Sequence, residues 1–456
     1  MNNCTTKAQS THRSPVRAVL VSALALTAIL LSPLAGHPAG ASTHAASRVS
    51  APAAVTVWDI QTGTEQNHLL AMAAAFNKAH PSTPVQYVWY QADPYKTKLA
   101  ISVGAHHAPD IFMGWGGGVL QSYVKSGAVV DLTSAIKGDP SWYNRYQPSV
   151  LAAATFNGHV YGVPYNESQP EVVIYNKAIF AQYHLSVPTT WPQLLQVTKT
   201  LQSHNVIPFA MAGKVIWPEM IIVQYLANRI AGPTALSAIA QQKPGASFNT
   251  PAWIKAAQMA QDLAKQNAFE NGFAGFDYHA GADAAQLLYA GRTAMMFMGV
   301  WEFRLAQDDA PQFAAKNMGF FPVPAVPGGK GSIHDLVGNP ANYYSVSADS
   351  PHKAAAIAYL KEALNPTFSQ QLLTGGSVPP VQGLDLSRVH DPLLTQQVNL
   401  LKASSSFQQP VDQLMPPQLA QDFLDLTSSL FALSITSQQF ASQMQAKTVA
   451  YYASHH

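Results

Sequence analysis

Cysteine is nearly absent from this sequence of 456 residues, since the only one is Cys4. It lies in a segment that is first basic and then apolar, so the rest of the chain has no thiol for a disulfide, a metal ion or a lipid anchor. Charge is also sparse. Residues 1–41 contain three basic and no acidic side chains, which leaves 23 basic and 24 acidic residues beyond them. A chain without a basic excess does not favour nucleic acid as a partner.

Motifs of catalysis and metal binding are missing as well. The sequence contains no G-x-S-x-G elbow, no phosphate-binding loop and no H-x-x-x-H run with an intervening glutamate. His106 and His107 are adjacent, but they lie in a predicted turn that needs no metal. We therefore expect no cofactor, no metal and no enzymatic activity. A secreted glycosidase stays open as an alternative, although no pair of carboxylates at strand ends can be recognised.

The first 41 residues have the three-part layout of a secretory signal peptide. Lys7, Arg13 and Arg17 supply a basic start, residues 18–30 form an apolar run, and small residues at 39–41 offer a cleavage site. The alternative is a membrane anchor, because the apolar run can be extended to about 17 residues. Residues 42–54 are small and polar, which predicts a flexible leader.

The sequence offers no lipid tether next to this segment. Residues 34–36 match the start of a lipoprotein signal, but His37 stands where the lipidated cysteine would be. We expect an exported protein, either extracellular or associated with the cell envelope (the periplasm in a Gram-negative organism), without a lipobox cysteine.

The periodicity of apolar residues predicts an α/β fold. About 400 residues remain after the leader, more than one hydrophobic core usually holds, so we expect two lobes. Strand patterns at 55–60 and 85–90 flank a helix with apolar residues at helical spacing, namely Leu69, Met72, Ala73 and Phe76. Strands that alternate with helices in this way predict doubly wound, largely parallel sheets. Further strand patterns occur at 207–212, 292–299, 318–324 and 342–347.

Three helix starts carry recognisable signals. Thr62 with Glu65, and Thr190 with Gln193, have the spacing of a capping box. Pro251 occupies a position typical of the first residue of a helix. We expect helices to begin at these three places.

Several segments, taken in chain order, resemble a known family. They are F-N-K at 76–78, Y-K-T-K-L at 95–99, A-P-D-I at 108–111, Y-N-K at 175–177 followed by T-T-W at 189–191, A-G-R-T-A-M-M-F-M-G-V-W at 290–301 and M-G-F-F-P-V-P at 318–324. Together they are similar to the family 1 extracellular solute-binding proteins of ABC importers, the group that contains maltodextrin-binding proteins.

The resemblance implies a periplasmic-binding-protein type of fold, in which crossing hinge strands join two doubly wound α/β lobes and helices end the chain. The first lobe would comprise residues 55–165 and 318–375, and the second residues 166–317 and 376–456. It also implies a monomeric receptor that closes on a mono- or oligosaccharide and delivers it to the membrane permease subunits of an ABC transporter. A polyamine or similar solute is the alternative ligand, and its site would need several carboxylates around the aromatic rings.

Tryptophans near strand ends are the first candidates for ligand contact. A sugar presents C–H faces flanked by hydroxyls, so its site needs flat aromatic rings and polar groups at their rims. The resemblance implies a stacking aromatic at Trp301. Trp115 and Gly116 follow a predicted strand, and ligands of open α/β sheets bind beyond the carboxyl ends of strands. Packing in the core or in a turn is the alternative role for both tryptophans.

The remaining candidates also lie near strand ends or in crossing segments. The end of the first strand and the helix start after it contain Trp58, Asp59, Gln61 and Glu65, although capping alone would explain Glu65. Glu302 follows Trp301 directly. The resemblance implies further contacts from Asn166, Glu167, Gln169, Trp217, Asn339 and Asn342.

Overall fold

The computed structural model describes residues 54–455, so the predicted signal peptide (1–41) and residues 42–53 of the predicted leader lie outside the described residues. The strands in that range are β1 (Val55–Asp59), β2 (Val85–Trp89), β3 (Ile111–Gly114), β4 (Thr155–Phe156), β5 (His159–Val160), β6 (Val163–Tyr165), β7 (Gln169–Asn176), β8 (Ile207–Ala210), β9 (Thr293–Gly299), β10 (Met318–Phe321), β11 (Asp335–Asn339), β12 (Asn342–Val346) and β13 (Ser406–Gln408).

Helices connect these strands and dominate the C-terminal part. They are α1 (Gly63–Ala79), α2 (Ala92–Gly104), α3 (Gly117–Lys125), α4 (Thr133–Lys137), α5 (Pro140–Tyr143), α6 (Pro148–Ala152), α7 (Lys177–Gln182), α8 (Trp191–Ser203), α9 (Trp217–Ala231), α10 (Ala235–Ala240), α11 (Pro251–Lys265), α12 (Ala284–Tyr289), α13 (Trp301–Asp309), α14 (Pro311–Lys316), α15 (Lys353–Ala363), α16 (Pro366–Thr374), α17 (Pro392–Lys402), α18 (Val411–Leu414), α19 (Pro417–Phe431) and α20 (Ser437–Ser454). Within residues 54–455, none of the helices combines the length and the apolar character that crossing a membrane requires.

Local sequence signals placed most helix starts correctly. Thr190 and Gln193 form the predicted capping box at the start of α8. Pro251 is the first residue of α11, and the Trp253 backbone N–H donates to the Thr250 side chain before it. The capping box predicted from Thr62 and Glu65 is wrong, because the Thr62 side chain makes no capping hydrogen bond. The Glu65 carboxylate is instead paired with a distant residue, described below.

The first sheet has the strand order β2-β1-β3-β12-β6. Strands β1, β2 and β3 are parallel, and the helices α1 and α2 connect them, which confirms the predicted strand–helix alternation. Strand β12 runs antiparallel between β3 and β6. The apolar face of α1 is buried as predicted, and it packs with α15 and α16 in the core of this sheet.

The second sheet has the order β13-β11-β7-β9-β8, with β10 paired to β7 as well. Only part of it is parallel, because β7 runs antiparallel to β9, β10 and β11. The sequence placed the return to the first lobe at residue 318, yet β10 and β11 both pair with this second sheet. The chain rejoins the first sheet at β12. The helices α8, α9, α11, α19 and α20 surround the main core of the second sheet.

Short connections carry the chain from one sheet to the other. Residues 166–168 join β6 to β7, and residues 340–341 join β11 to β12. Ser168 lies in the first connection and bonds to the second, since its hydroxyl donates to the Pro340 carbonyl (3.0 Å). Its backbone N–H donates to the carbonyl of Val378, in the segment that follows α16 (2.8 Å). Asn166 has a φ of 66°, a left-handed conformation that asparagine tolerates better than most residues.

Candidate ligand-binding cleft

A cavity of about 430 Å³ opens between elements of the two sheets. That volume lies within the range of roughly 300–1,000 Å³ that is typical of small-molecule sites. On the side of the first sheet, the cavity follows the carboxyl ends of β1 and β3 and the start of α2, where it is lined by Ile60, Gln61, Thr62, Gln91, Asp93, Lys96, Trp115 and Asn342. On the side of the second sheet, its lining includes Gln169, Glu171, Trp217, Met220, Asp277, Tyr278, His279, Trp301, Arg304, Asn339, Asp412 and Gln413.

Aromatic rings form much of the apolar wall of this cleft. The ring centroid of Trp217 lies 5.3 Å from that of Tyr278 and 6.1 Å from that of Trp301. The Trp301 indole N–H donates to the Tyr278 hydroxyl (2.7 Å), which fixes the orientation of both rings. Lys96 Nζ lies 5.4 Å from the ring centroid of Trp115 and 6.0 Å from that of Trp217. The aromatic surfaces of the two sides therefore face each other across one ammonium group.

The position of the Trp301 ring depends on the glycine two residues before it. A Cβ atom added at Gly299 would overlap the Trp301 ring itself. Gly299 ends β9, and α13 begins with Trp301, so the chain turns sharply here and folds the indole back over the strand end. A side chain at residue 299 would push the ring out of the cleft wall.

Four side-chain oxygens in the cleft have no hydrogen-bond partner among residues 54–455. They belong to Asn339, Asn342, Asp412 and Gln413, and all four residues line the cavity. The Asn339 amide is oriented by its own donation to the Gln169 side-chain oxygen (3.0 Å). A buried acceptor without a donor costs about 1–3 kcal/mol. The cleft therefore offers several oxygens that a donor-rich ligand would satisfy.

The carboxyl groups of Glu171 and Asp412 lie near each other in the wall. Burial and the neighbouring Asp412 raise the pKa of Glu171, a hydrogen bond from the Gln224 side chain opposes them, and the net value is about 8. Gln224 connects the two residues, because it donates to Glu171 (2.8 Å) and accepts from the Val411 backbone N–H (3.0 Å) at the start of α18. Burial also raises the pKa of Asp412, and Lys96 at 3.9 Å opposes that shift.

A buried network behind the cleft supports the aromatic wall. The Glu302 carboxylate accepts from the Tyr278 hydroxyl (2.7 Å), from the Tyr289 hydroxyl, and from His279 Nε2 (3.0 Å). Burial lowers the pKa of His279, but its hydrogen bond to Glu302 and the charges of Glu302, Asp283 and Asp309 prevail and raise it to about 9. The imidazolium and the carboxylate thus hold Tyr278, which in turn holds Trp301.

An ion pair links helices of the two halves near the base of the cleft. Arg304 Nη2 of α13 lies 2.7 Å from the Glu65 carboxylate of α1, and both side chains are buried. Burial raises the pKa of Glu65, the charge of Arg304 opposes this, Glu167 acts in the same direction as burial, and the net value is about 8. The Thr64 hydroxyl donates to Asp308 (3.1 Å) between the same two helices.

A family model described as bacterial extracellular solute-binding protein matches residues 62–367 of the chain. The chain belongs to this family. It is 23% identical over 275 residues to an uncharacterized ABC transporter extracellular-binding protein of Pyrococcus horikoshii, an alignment that covers 58% of this chain and 59% of the relative. The chain therefore spans less than two thirds of that relative's length.

Solved structures of solute-binding proteins share the two-lobed fold. One comes from work on xylan utilization by the thermophilic bacterium Caldanaerobius polysaccharolyticus. It has 30% identity and a TM-score of 0.78, and the match covers 86% of this chain and 99% of the other. A chitin oligosaccharide binding protein has 22% identity and a TM-score of 0.79, with 87% and 98% of the two chains covered. The predicted family and fold class are confirmed.

Within this family fold, half of the predicted contact residues line the cavity. These are Gln61, Trp115, Gln169, Trp217, Trp301, Asn339 and Asn342. The other half do not line it: Trp58, Asp59, Glu65, Gly116, Asn166, Glu167 and Glu302. Contact of any of them with a ligand stays a prediction.

The residues outside the lining have structural surroundings of their own. Asp59 is buried and accepts from the Tyr165 hydroxyl (2.7 Å), the Tyr344 hydroxyl and the backbone N–H groups that follow it. Trp58 packs edge-on against Tyr90, with ring centroids 5.1 Å apart. Gly116 has a φ of 74°, and a Cβ atom there would lie 2.5 Å from the Ala153 carbonyl oxygen.

Three more predicted residues lie at the crossing or behind the wall. Asn166 and Glu167 are buried in the connection between β6 and β7, where the Gln169 side chain donates to Glu167 (3.5 Å). Glu302 is fully buried behind Tyr278. None of these three residues is among those that line the cavity.

The sequence analysis missed several residues that line the cavity, chiefly Lys96, Glu171, Tyr278, Asp412 and Gln413. One signal was available, since Glu171 is an acidic residue in the otherwise apolar strand segment E-V-V-I-Y. A charge in a buried strand has a specific role more often than not. The short helix α18 lies between prolines and carries no comparable signal.

Proposed function

We propose that this protein is an extracytoplasmic receptor that binds a carbohydrate in the cleft, closes on it, and delivers it to the permease subunits of an ABC transporter. The observation that carries the proposal is the combination of four aromatic rings with four unpartnered side-chain oxygens in one cavity. The rings of Trp115, Trp217, Tyr278 and Trp301 suit the C–H faces of sugars. The free oxygens suit sugar hydroxyls.

The names of the structural relatives support the same ligand class. One relative is described in connection with xylan utilization and another as a chitin oligosaccharide binding protein. The Pyrococcus relative is named as part of an ABC transporter, which supports a permease as the partner. Membership of an extracellular family supports export, with the predicted signal peptide removed and no lipid attached.

We infer that closure is a rotation of two lobes about the connections near Ser168. The first lobe would comprise residues 54–165 and 342–374, and the second the rest of the described chain, since these divisions follow the membership of the two sheets. A ligand that touches Trp115 on one side and Trp217 on the other favours the closed arrangement, because it gains contacts there that the open form lacks. The receptor acts as a monomer without enzymatic activity.

Calorimetry and thermal unfolding of the exported form test the proposal. A panel of mono- and oligosaccharides should include ligands that bind and raise the melting temperature, since a ligand bound to the folded state stabilises it. Trp301→Ala should weaken binding by more than about 1 kcal/mol if the ring stacks on the sugar. The matched control is Trp253→Phe, a tryptophan buried in the core of the second lobe away from the cavity. A panel without any binder, or steady release of hydrolysis products, would contradict the proposed function.

A further inference from the structure

The cleft is acidic, although the chain as a whole is nearly balanced in charge. Its lining includes four carboxylates, those of Asp93, Glu171, Asp277 and Asp412. The lysine and arginine side chains in the lining are Lys96 and Arg304. Burying carboxylates is costly unless they are paired, so such an excess favours a ligand that brings positive charge.

The available cations are already shared among these carboxylates and their neighbours. Arg304 is engaged by Glu65 at 2.7 Å, and Lys214 is engaged by Asp277 at 2.6 Å. Lys96 forms ion pairs with two carboxylates, since its Nζ lies 3.4 Å from Asp93 and 3.9 Å from Asp412.

The imidazole of His279, the remaining basic group of the lining, is bonded to Glu302 at 3.0 Å and lies close to Asp283 and Asp309. It therefore belongs to the buried network and does not pair with the four carboxylates of the cleft. Glu171 has no cationic group within 4.0 Å in the described part of the chain and accepts only from the Gln224 amide. Its raised pKa keeps the carboxyl protonated near neutral pH, and a ligand cation beside it would draw it into the ionised form.

The aromatic rings next to these acids are placed to accept a cation. Lys96 Nζ lies over the rings of Trp115 and Trp217, and such cation–π contacts are favourable when the cation is within about 6 Å of the ring centroid. The Lys96 side chain is 37% exposed, so it can turn toward solvent at little cost. Its ammonium marks a position that a ligand ammonium can take between the same rings.

Hydrogen bonding favours the same ligand chemistry. The Asp412 side chain is only 10% exposed, and one of its oxygens has no partner among residues 54–455. Unpartnered oxygens of Asn339, Asn342 and Gln413 line the same cavity. An ammonium group supplies three donors and no acceptor, which complements these oxygens. The Nε and Nη1 groups of Arg304 in the same lining are donors without a partner among residues 54–455. A simple polyamine has no acceptor for them, whereas the hydroxyls of a saccharide both donate and accept.

We propose that the ligand is a saccharide that carries a protonated amine, with the ammonium held by Glu171 and Asp412 between Trp115 and Trp217. The inference rests on the proposed carbohydrate-receptor function and narrows its substrate class. The amide oxygens of Asn339, Asn342 and Gln413 receive the hydroxyls of the same molecule, and Trp301 and Tyr278 receive its apolar face.

Three matched series of probes test this assignment by titration calorimetry on the full exported chain. Glucosamine and its β-1,4-linked dimer and trimer are compared with the N-acetylated forms and with glucose, cellobiose and cellotriose. Each set differs only in the group at C2, which is an ammonium, an acetamide or a hydroxyl. The amine form should bind at least tenfold tighter than its two counterparts of equal length. Its affinity should fall with added salt, because salt screens the attraction between opposite charges.

Variants then assign the preference to the two carboxylates. Glu171→Gln and Asp412→Asn both change the wall of the cavity, so the quantity compared is selectivity: each should reduce the affinity for the amine form at least tenfold more than it reduces the affinity for the neutral counterparts. Asp425→Asn is the control, an exposed carboxylate on α19 that does not line the cavity, and it should change neither. The wild-type comparison of ligands needs no variant, so the test holds even if one substitution prevents folding.

Each other outcome overturns the assignment in a distinct way. If neutral sugars of these series or of a wider panel bind as tightly as the amines or tighter, the inference is wrong and the proposed carbohydrate function stands. If spermidine or putrescine binds while no saccharide does, both the inference and the proposed function are wrong. Equal affinities for amine sugars in wild type and in both variants would place the ammonium elsewhere and overturn the assignment of its site.

Discussion

Asp59 and Glu171 are both buried carboxylates on strands, one at the end of β1 in the first sheet and one in β7 of the second. Asp59 accepts from two tyrosine hydroxyls and two backbone N–H groups, all from the protein itself. Glu171 accepts from one side-chain amide and lies in the wall of the cavity beside Asp412. Both oxygens of the Asp59 carboxylate accept hydrogen bonds from the protein, whereas the Glu171 carboxyl accepts a single hydrogen bond.

The difference shows which buried acids organise the fold and which are available to a ligand. A carboxylate surrounded by donors fixes the elements that provide them, here β1, β6 and β12 through Asp59, Tyr165 and Tyr344. A carboxylate with few donors pays a large desolvation cost, and such groups cluster at functional sites. Glu302 is like Asp59 in this respect, since its carboxylate is hydrogen-bonded to two tyrosines and a histidine.

The largest effect is expected from Asp59→Ala. The substitution leaves two buried tyrosine hydroxyls and two backbone N–H groups without their acceptor, and each such loss costs about 1–3 kcal/mol before the structure relaxes. We expect the free energy of unfolding to fall by about 3 kcal/mol in chemical denaturation. Asp425→Ala, which removes an exposed carboxylate bonded only to Gln421, should cost less than about 0.5 kcal/mol. Similar losses of unfolding free energy in the two variants would contradict the role of Asp59 in organising the fold.

A smaller loss is expected from Glu302→Gln, which keeps the shape of the side chain but removes the charge that faces His279. Breaking a buried charge pair in this way should lower the free energy of unfolding by about 2 kcal/mol, less than full truncation because an amide oxygen remains. Sugar affinity should fall as well, since Tyr278 and Trp301 lose their support. The exposed Asp309, 3.2 Å from the other nitrogen of His279, provides the control Asp309→Asn. Equal effects of both substitutions would contradict a special role of the buried partner.

The smallest effect on stability at acidic pH is expected from Glu171→Gln, because the carboxyl is protonated there in both the folded and the unfolded chain, and the effect should grow as the pH rises. The folded chain keeps the Glu171 proton up to a pKa of about 8, whereas the unfolded chain releases it near the ordinary value of 4.5. Stability contributed by this group is therefore lost as the pH rises from about 4.5 to 8. The variant should flatten that decline, measured as denaturation midpoints across this range.

Glu219→Gln sharpens this last prediction as a matched control. Burial raises the pKa of Glu219 to about 8 as well, but Glu219 does not line the cavity. Both variants should flatten the dependence of stability on pH, and only Glu171→Gln should change which ligands bind. A change of ligand preference in Glu219→Gln would show that buried charge alone, and not its position in the wall, decides the selectivity.

Local patterns in the sequence predicted those parts of the molecule that local forces determine. The apolar face of α1, the capping box of α8 and the start of α11 follow from neighbouring residues, and the structure confirms them. Trp115 and Trp301 were predicted to lie at strand ends, and both line the cavity. The same reasoning predicted a ligand contact for Asp59, which stays a prediction. A strand end alone does not reveal that tyrosines of β6 and β12 surround its carboxylate.

The remaining features depend on contacts between residues far apart in the sequence. Glu65 has the spacing of a capping residue, but its carboxylate pairs with Arg304 on a helix of the other half. The pairing of β10 and β11 with β7 sets the return to the first sheet at β12, and no periodicity encodes such antiparallel pairing. Asp412 joins the cleft because Gln224 holds the start of α18 beside β7, a relation that spans most of the second lobe.

The hydrogen bonds of Ser168 have a mechanical consequence. Because this residue is bonded both to the connection at Pro340 and to the segment at Val378, the passages between the two halves are joined along a single line. Passages of two or three residues are too short to let one half slide along the other. For the proposed closure, we expect these bonds to favour a turn of one half against the other about the connections near Ser168. Such a turn would bring Trp217 toward Trp115 in a reproducible geometry.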